Sequence, residues 1–176
     1  GYALMGADAG NYNVIQPTGL AATINKADLA VSGVGAANKT YDATAAASLT
    51  GVATVSAIGG DMVSISGMGA TGNFADKNAG TNKAVTVTGY TLTGADAGNY
   101  NVIQPTGLTA TINKADLIVS GVSAGNKTYD ATTTAVLSGV ATVSAMGTDM
   151  VSLTGSGTGN FSDKNVGANK AVTVTG

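Results

Sequence analysis

The chain has no cysteine, histidine, tryptophan, arginine or glutamate among its 176 residues, and only two prolines and two phenylalanines. Without imidazole, no side chain is set to shuttle protons near neutral pH. Without thiolate or imidazole, neither a cysteine nucleophile nor a Cys/His metal cage can be assembled. Without guanidinium, no fork can clasp a phosphate or carboxylate. These absences remove most of the catalytic vocabulary, so the expectation is a protein that is not an enzyme and needs no cofactor. Charge is also sparse. Eight lysines and ten aspartates leave a net charge of −2, and phosphate binding needs a dense cationic face, so nucleic acid is not an expected partner. The lysines are spread singly, and Lys39, Lys77 and Lys83 read as solvated side chains. No apolar run approaches the roughly 20 residues of a spanning helix, so no membrane insertion by this segment is expected. The lack of cysteine suits a secreted bacterial protein free of disulfides, and a cytosolic protein equally.

What the chain does have, it has twice. Residues 6–20, from Gly6-Ala7-Asp8 through Pro17-Thr18-Gly19-Leu20, recur unchanged at 94–108, a displacement of 88. Asn38-Lys39-Thr40-Tyr41-Asp42-Ala43-Thr44 returns at 126–132. Near Thr71 the second copy lacks one residue, so that Phe74 matches Phe161, and about four in five aligned positions are identical. Tandem copying at this fidelity points to length, spacing and surface presentation rather than to chemistry at one place.

Within each copy the dominant period is two. In Lys83-Ala84-Val85-Thr86-Val87-Thr88 the valines face one way and the threonines the other. Leu108, Ala110 and Ile112 alternate with Thr109 and Thr111. Leu117 and Val119 alternate with Ile118 and Ser120, and Val63 and Ile65 with Ser64 and Ser66. Such segments suit half-buried antiparallel strands, and glycine clusters punctuate them at the spacing of a sandwich or barrel. Strands are expected near 27–34, 39–49, 52–57, 62–68, 83–93, 99–104 and 107–113. Gly67-Met68-Gly69-Ala70-Thr71-Gly72 reads as a flexible turn. The fold expected is a tandem array of immunoglobulin-like β-sandwiches, with β-grasp-like or small barrel units as the alternative. A repeat of this length is far longer than one solenoid coil and suits beads on a string.

The apolar phase flips across Asn25-Lys26-Ala27-Asp28 and again across Asn113-Lys114-Ala115-Asp116. A one-residue slip turns every side chain to the other face, so the flip is read as a junction between repeats, with a β-bulge inside one long strand as the alternative. On this register residues 1–25 finish a preceding repeat, 26–113 form a complete one, and 114–176 begin the next, which needs a partner strand. No proline- or glycine-rich linker lies at either junction, so the joints are expected to be stiff.

The segments Asn38 to Thr44, Phe74-Ala75-Asp76-Lys77-Asn78-Ala79-Gly80, Lys83 to Val87 and Gly94 to Tyr100 together resemble the YDG repeat of large haemagglutinin-like and filamentous adhesins of Gram-negative bacteria. The resemblance spans the whole repeat in both copies. It implies an extracellular, cell-surface all-β module used many times in one polypeptide, in a stalk, filament or biofilm matrix. One departure stands out: the glycine of the Tyr-Asp-Gly signature is Ala43 here and Ala131 in the second copy. Alanine is awkward at positive φ, so an ordinary backbone conformation is expected there.

A few constellations carry chemistry worth weighing. Asp76 and Asn78, with Asp163 and Asn165, have the acid-x-amide-x-Gly spacing of a calcium turn, but no bidentate glutamate completes the six to eight oxygens calcium takes. The competing reading is an ordinary turn in which Asp bonds nearby backbone N–H groups. Tyr12 and Tyr100 are the candidates for stacking on a glycan, against a core role for the few aromatics. Tyr41 is expected to pack its ring while its hydroxyl finds a backbone partner. The expected partners are neighbouring repeats of the same chain, with like filaments or host and matrix glycans as alternatives, the glycans bound weakly and by avidity.

Overall fold

A computed structural model describes all 176 residues, and the protein is all-β, with sixteen strands and two 3-10 turns at Ala9–Asn11 and Ala97–Asn99. In residues 27–113 the strands are β1 (Ala27–Ala30), β2 (Ser32–Ala36), β3 (Lys39–Thr40), β4 (Ala46–Ala47), β5 (Leu49–Thr54), β6 (Ser64–Ser66), β7 (Thr71–Phe74), β8 (Gly80–Thr88), β9 (Thr91–Thr93), β10 (Tyr100–Ile103) and β11 (Leu108–Asn113). Beyond them lie β12 (Ser120–Ala124), β13 (Thr134–Ala135), β14 (Leu137–Thr142), β15 (Thr158–Phe161) and β16 (Val172–Thr175).

The largest sheet has five strands in the order β3-β11-β8-β7-β4, and with its neighbours it makes a nearly closed, barrel-like arrangement. β8 is antiparallel to both β7 and β11, while β3 runs parallel to β11. The ladders β2–β5 and β6–β9 are antiparallel, and β1 pairs in parallel with β10. Every ladder of residues 27–113 closes within that stretch, and every ladder of residues 120–175 closes within its own. The apolar phase flip accompanies a change of ladder. β11 ends at Asn113 in the five-stranded sheet, and β1 begins at Ala27 against β10.

Alternation works as the sequence implies. Val85 and Val87 of β8 are buried while Thr86 and Thr88 are exposed, and Ala110 and Ile112 of β11 point inward. Phe74, Val31 and Tyr90 join them in one cluster, with Val34, Leu49 and Ala53 of the β2–β5 ladder packed against it. Ten apolar residues are fully buried, and nine of them lie between Leu29 and Ile112. Burying a side chain such as Ile112 contributes about 1.5–3 kcal/mol. The β2–β5 ladder slips register between Ser32 and Val34. There Gly33 (φ +77) and Gly51 (φ +82) face each other so closely that a Cβ on Gly51 would lie 2.1 Å from the Gly33 carbonyl oxygen. Only glycine fits such an approach.

Three expectations change. The run 39–49 is not one strand: a turn after Thr40 divides it into β3, β4 and the start of β5. The run 83–93 breaks at Gly89, where φ is +93, into β8 and β9. Thr71 and Gly72, read as part of a flexible turn, open β7, a strand between β8 and β4 that buries Phe74. Glycine is a poor strand former in isolation, but here Gly72 leaves room for Leu49, whose Cδ2 would lie 2.7 Å from an added Cβ.

Candidate functional site

The signature Tyr41-Asp42-Ala43-Thr44 turns the chain between β3 and β4 and closes around a lysine. Lys39 Nζ lies 2.8 Å from Asp42 Oδ1, 2.9 Å from the Thr44 carbonyl, 3.1 Å from Thr44 Oγ1 and 2.9 Å from the Ala46 carbonyl. It sits 5.6 Å from the centre of the Phe74 ring, within reach of a cation–π contact. Asp42 Oδ1 also accepts from the Thr44 N–H at 2.9 Å and the Thr44 hydroxyl at 2.8 Å. The Lys39 ammonium first, then the two Thr44 donors, hold the Asp42 carboxyl down at about 2. The second copy repeats the cage with Lys127, Asp130, Thr132 and Phe161, and Asp130 also falls to about 2.

Ala43 and Ala131 have φ of +63° and +62°. The expectation of an ordinary conformation is overturned, because the Asp42–Lys39–Thr44 network forces the chain through a left-handed turn whatever residue stands there. The alanine is strained where glycine would be at ease.

The lysines are not simply solvated either. Lys39 is caged, and Lys83 donates to Asp76 Oδ1 at 2.7 Å with most of its side chain covered. Asp76 Oδ1 also accepts the Asn78 N–H at 2.7 Å, and Lys83 and then that N–H lower the Asp76 pKa. In the second copy Asp163 accepts from Lys170 and from the Asn165 N–H at 2.8 Å. Both calcium-candidate turns are thus tight Asp turns, each with an ammonium from its own chain on the carboxylate. No three acidic side chains converge.

Lys77 belongs to a different contact, one that joins the two copies. Asp149, in the loop Met146–Asp149 of the second copy, accepts from the Tyr41 hydroxyl and from Lys77 Nζ of the first. Lys77 and then Tyr41 lower the Asp149 pKa, while the hydrogen bond to Asp149 raises that of Tyr41 and of Lys77. The signature turn lies against the same loop, since a Cβ on Gly147 would be 3.2 Å from the Ala43 Cβ. The Tyr41 N–H donates to the Asn113 carbonyl at 2.8 Å, which ties this contact to the end of β11. The Tyr41 hydroxyl therefore has a carboxylate partner 108 residues away and not the backbone partner expected. No local sequence signal could have named Asp149.

The remaining candidates are dispersed. Tyr100 is buried, with its hydroxyl donating to Asp61 Oδ2 at 2.7 Å and accepting the Ile58 N–H at 3.0 Å. Its face is not free for a sugar, whereas Tyr12 is exposed. Asn25 and Lys26 precede β1, Ala27 and Asp28 lie in it, and Asp28 Oδ1 accepts from Asn101 Nδ2 at 3.0 Å. Asn113 closes β11, and Lys114, Ala115 and Asp116 lie in the segment before β12 that joins no ladder.

The sequence pattern of the family described as YDG domain matches residues 25–108 and 113–176. No curated protein matches the chain, and no solved structure does.

Proposed function

The chain belongs to the YDG domain family, and from that premise we propose that it is a stalk or filament segment of a large secreted adhesin of a Gram-negative bacterium. In this reading it gives length and spacing at the cell surface or in the extracellular matrix. Its units are small all-β modules recurring every 88 residues, immunoglobulin-like sandwiches or the barrel-like units that the nearly closed five-stranded sheet favours, one spanning 26–113, with 1–25 ending the unit before it and 114–176 beginning the next. Its work is mechanical and calls for no catalytic group or cofactor.

The observation that carries the proposal is the clasp of Asp149 on Tyr41 and Lys77. It lies beside the junction 113–116 and uses residues present in every copy, so successive units meet through the same contact and point in a set direction. The matching loop of the first unit, Ile58 to Asp61, borders an open depression with Ile24 to Ala27 and Gly98 to Tyr100. That is where a preceding unit's Tyr41 and Lys77 would dock. A glycan array is the weaker reading, because one of its two candidate rings, Tyr100, is spent in the core.

Small-angle scattering on the chain, with and without Asp149→Ala, tests the proposal. A stiff stalk gives an elongated particle whose distance distribution broadens when the clasp is removed. An unchanged distribution would remove the clasp as the element that sets the joint, and a spherical particle would defeat the stalk reading itself.

A further inference from the structure

We propose that the parallel pairing of the first and last segments of residues 27–113 is a shear clamp, which resists stretching from end to end far more strongly than force applied across the pair. β1 and β10 run parallel, with Ala27 opposite Tyr100 and Ala30 opposite Ile103. β3 and β11 also run parallel, with Lys39 opposite Ile112 and Thr40 opposite Asn113. Both ladders keep one offset, 73 residues, which also separates Asp28 from Asn101 and Asn38 from Thr111. Residues 27–40 and 100–113 therefore travel side by side in one register and one direction.

That shared direction decides how tension acts. Stretching draws Ala27 back along β1 and Asn113 forward along β11. Because the segments are parallel and each is pulled from the opposite end, the two pulls run oppositely along a common axis. The evenly spaced bonds of a parallel pair lie across that axis and take the load together. Force applied at one end of the pair instead parts the segments bond by bond. Forced unfolding reads the height of the unfolding barrier, so the direction of pull sets the resistance.

The pair is fastened along its length. The Val31 N–H donates to the Ile103 carbonyl at 2.9 Å just past β1, and the Tyr41 N–H to the Asn113 carbonyl at 2.8 Å just past β3. Side chains add two more bonds, from Asn101 Nδ2 to Asp28 Oδ1 at 3.0 Å and from the Thr111 N–H to Asn38 Oδ1 at 2.7 Å. Between the ladders the pairing opens. Pro105 has no N–H to give, β2 turns to pair with β5, and the Gln104 amide clasps the backbone of Tyr90 at 3.0 and 2.8 Å, as Gln16 clasps Tyr2 at 2.9 and 2.7 Å. The register resumes unshifted at Asn38.

Burial closes the easy escape, which would be sliding. Leu29 and Val31 on one segment, and Tyr100, Ala110 and Ile112 on the other, are buried. A slip of one residue would turn these side chains to the wrong face, and a slip of two requires every bond between the segments to break first. All ladders of residues 27–113 close within that stretch, so the clamp belongs to it whatever precedes or follows in the chain. It rests on this topology and not on the stalk reading.

Single-molecule force spectroscopy on the 176-residue chain tests the clamp, and the absence of cysteine leaves two handles free to be placed at will. Asn25→Cys with Lys114→Cys stretches the unit from end to end, whereas Asn25→Cys with Asn99→Cys pulls the paired segments apart from one end. All three positions are exposed. At one loading rate the end-to-end rupture force should be severalfold the higher. Asn38→Ala removes the acceptor of the Thr111 N–H. It should lower the end-to-end force and leave the other unchanged, because parting from that end begins at Tyr100. Equal forces in the two directions overturn the proposal, and so does an Asn38→Ala variant that lowers both alike or neither. The scattering measurement on Asp149→Ala tests the joint between units, and its failure leaves the clamp untouched.

Discussion

Replacing Ala43 by glycine should make the protein more stable, although it removes a methyl group and lengthens the list of flexible residues. Ala43 sits at φ +63, where the Cβ of an L-residue crowds the following carbonyl at a cost of about 1–2 kcal/mol. Glycine escapes that cost but adds about 0.4–1 kcal/mol of backbone freedom to the unfolded chain. The difference leaves a net gain of about 0.5–1 kcal/mol, which for a unit of this size raises the melting temperature by roughly 2–8 °C. The hydrogen bonds of the turn use the side chains of Lys39, Asp42 and Thr44 and main-chain groups that glycine retains, so the cage should survive. Ala43→Val supplies the opposite sign, because a β-branched residue is still worse at positive φ. Urea unfolding of the wild type and the two variants, followed by tyrosine fluorescence, measures the order of midpoints. Glycine above alanine above valine is expected. A midpoint for Ala43→Gly below that of the wild type would refute the left-handed turn and with it the account of the signature.

The two repeat-equivalent isoleucines make a second test: Ile112→Ala should cost about 2–5 kcal/mol as a core truncation, while Ile24→Ala, at an exposed side chain, should change stability by less than about 0.5 kcal/mol. Gly51→Ala should destabilise by about 2 kcal/mol or more, because the new methyl meets the Gly33 carbonyl at an already left-handed residue, as thermal melts can show. Asp42 and Asp130 have carboxyls held at about 2 when folded against 3.8 for the free group. Their contribution is therefore complete above pH 3.8 and is lost as the pH falls towards 2. Urea midpoints between pH 5 and pH 2 should fall, and the Asp42→Asn, Asp130→Asn double variant should flatten that slope.

Much of the fold was legible because alternation is a local property. Val85 and Val87 against Thr86 and Thr88 announce both the strand and its buried face, and the β-branched threonines suit the wet side. The strand β7 was not legible. Thr71-Gly72-Asn73-Phe74 has the composition of a turn, and it becomes a strand because β8 and β4 flank it. The lysine cage lay in plain view as Lys39-Thr40-Tyr41-Asp42-Ala43-Thr44. A singly charged residue beside an acid looks solvated until the return of β4 brings the Ala46 carbonyl over the ammonium. The clasp of Asp149 on Tyr41 and Lys77 joins residues 108 and 72 positions apart, a separation at which sequence carries no pairing signal.

Residues 1–25 and 89–113 separate the two kinds of knowledge. Sequence by itself determined their conformation: the same turn after Asp8 and Asp96, the same glutamine clasp, the same left-handed glycines at Gly19 and Gly107. Backbone dihedrals and short hydrogen bonds answer to neighbours a few residues away, and those neighbours are alike. Tertiary structure alone decided that Ile112 is sealed in the core and Ile24 stands in water, because burial depends on whether β8 and β3 are there to receive the strand.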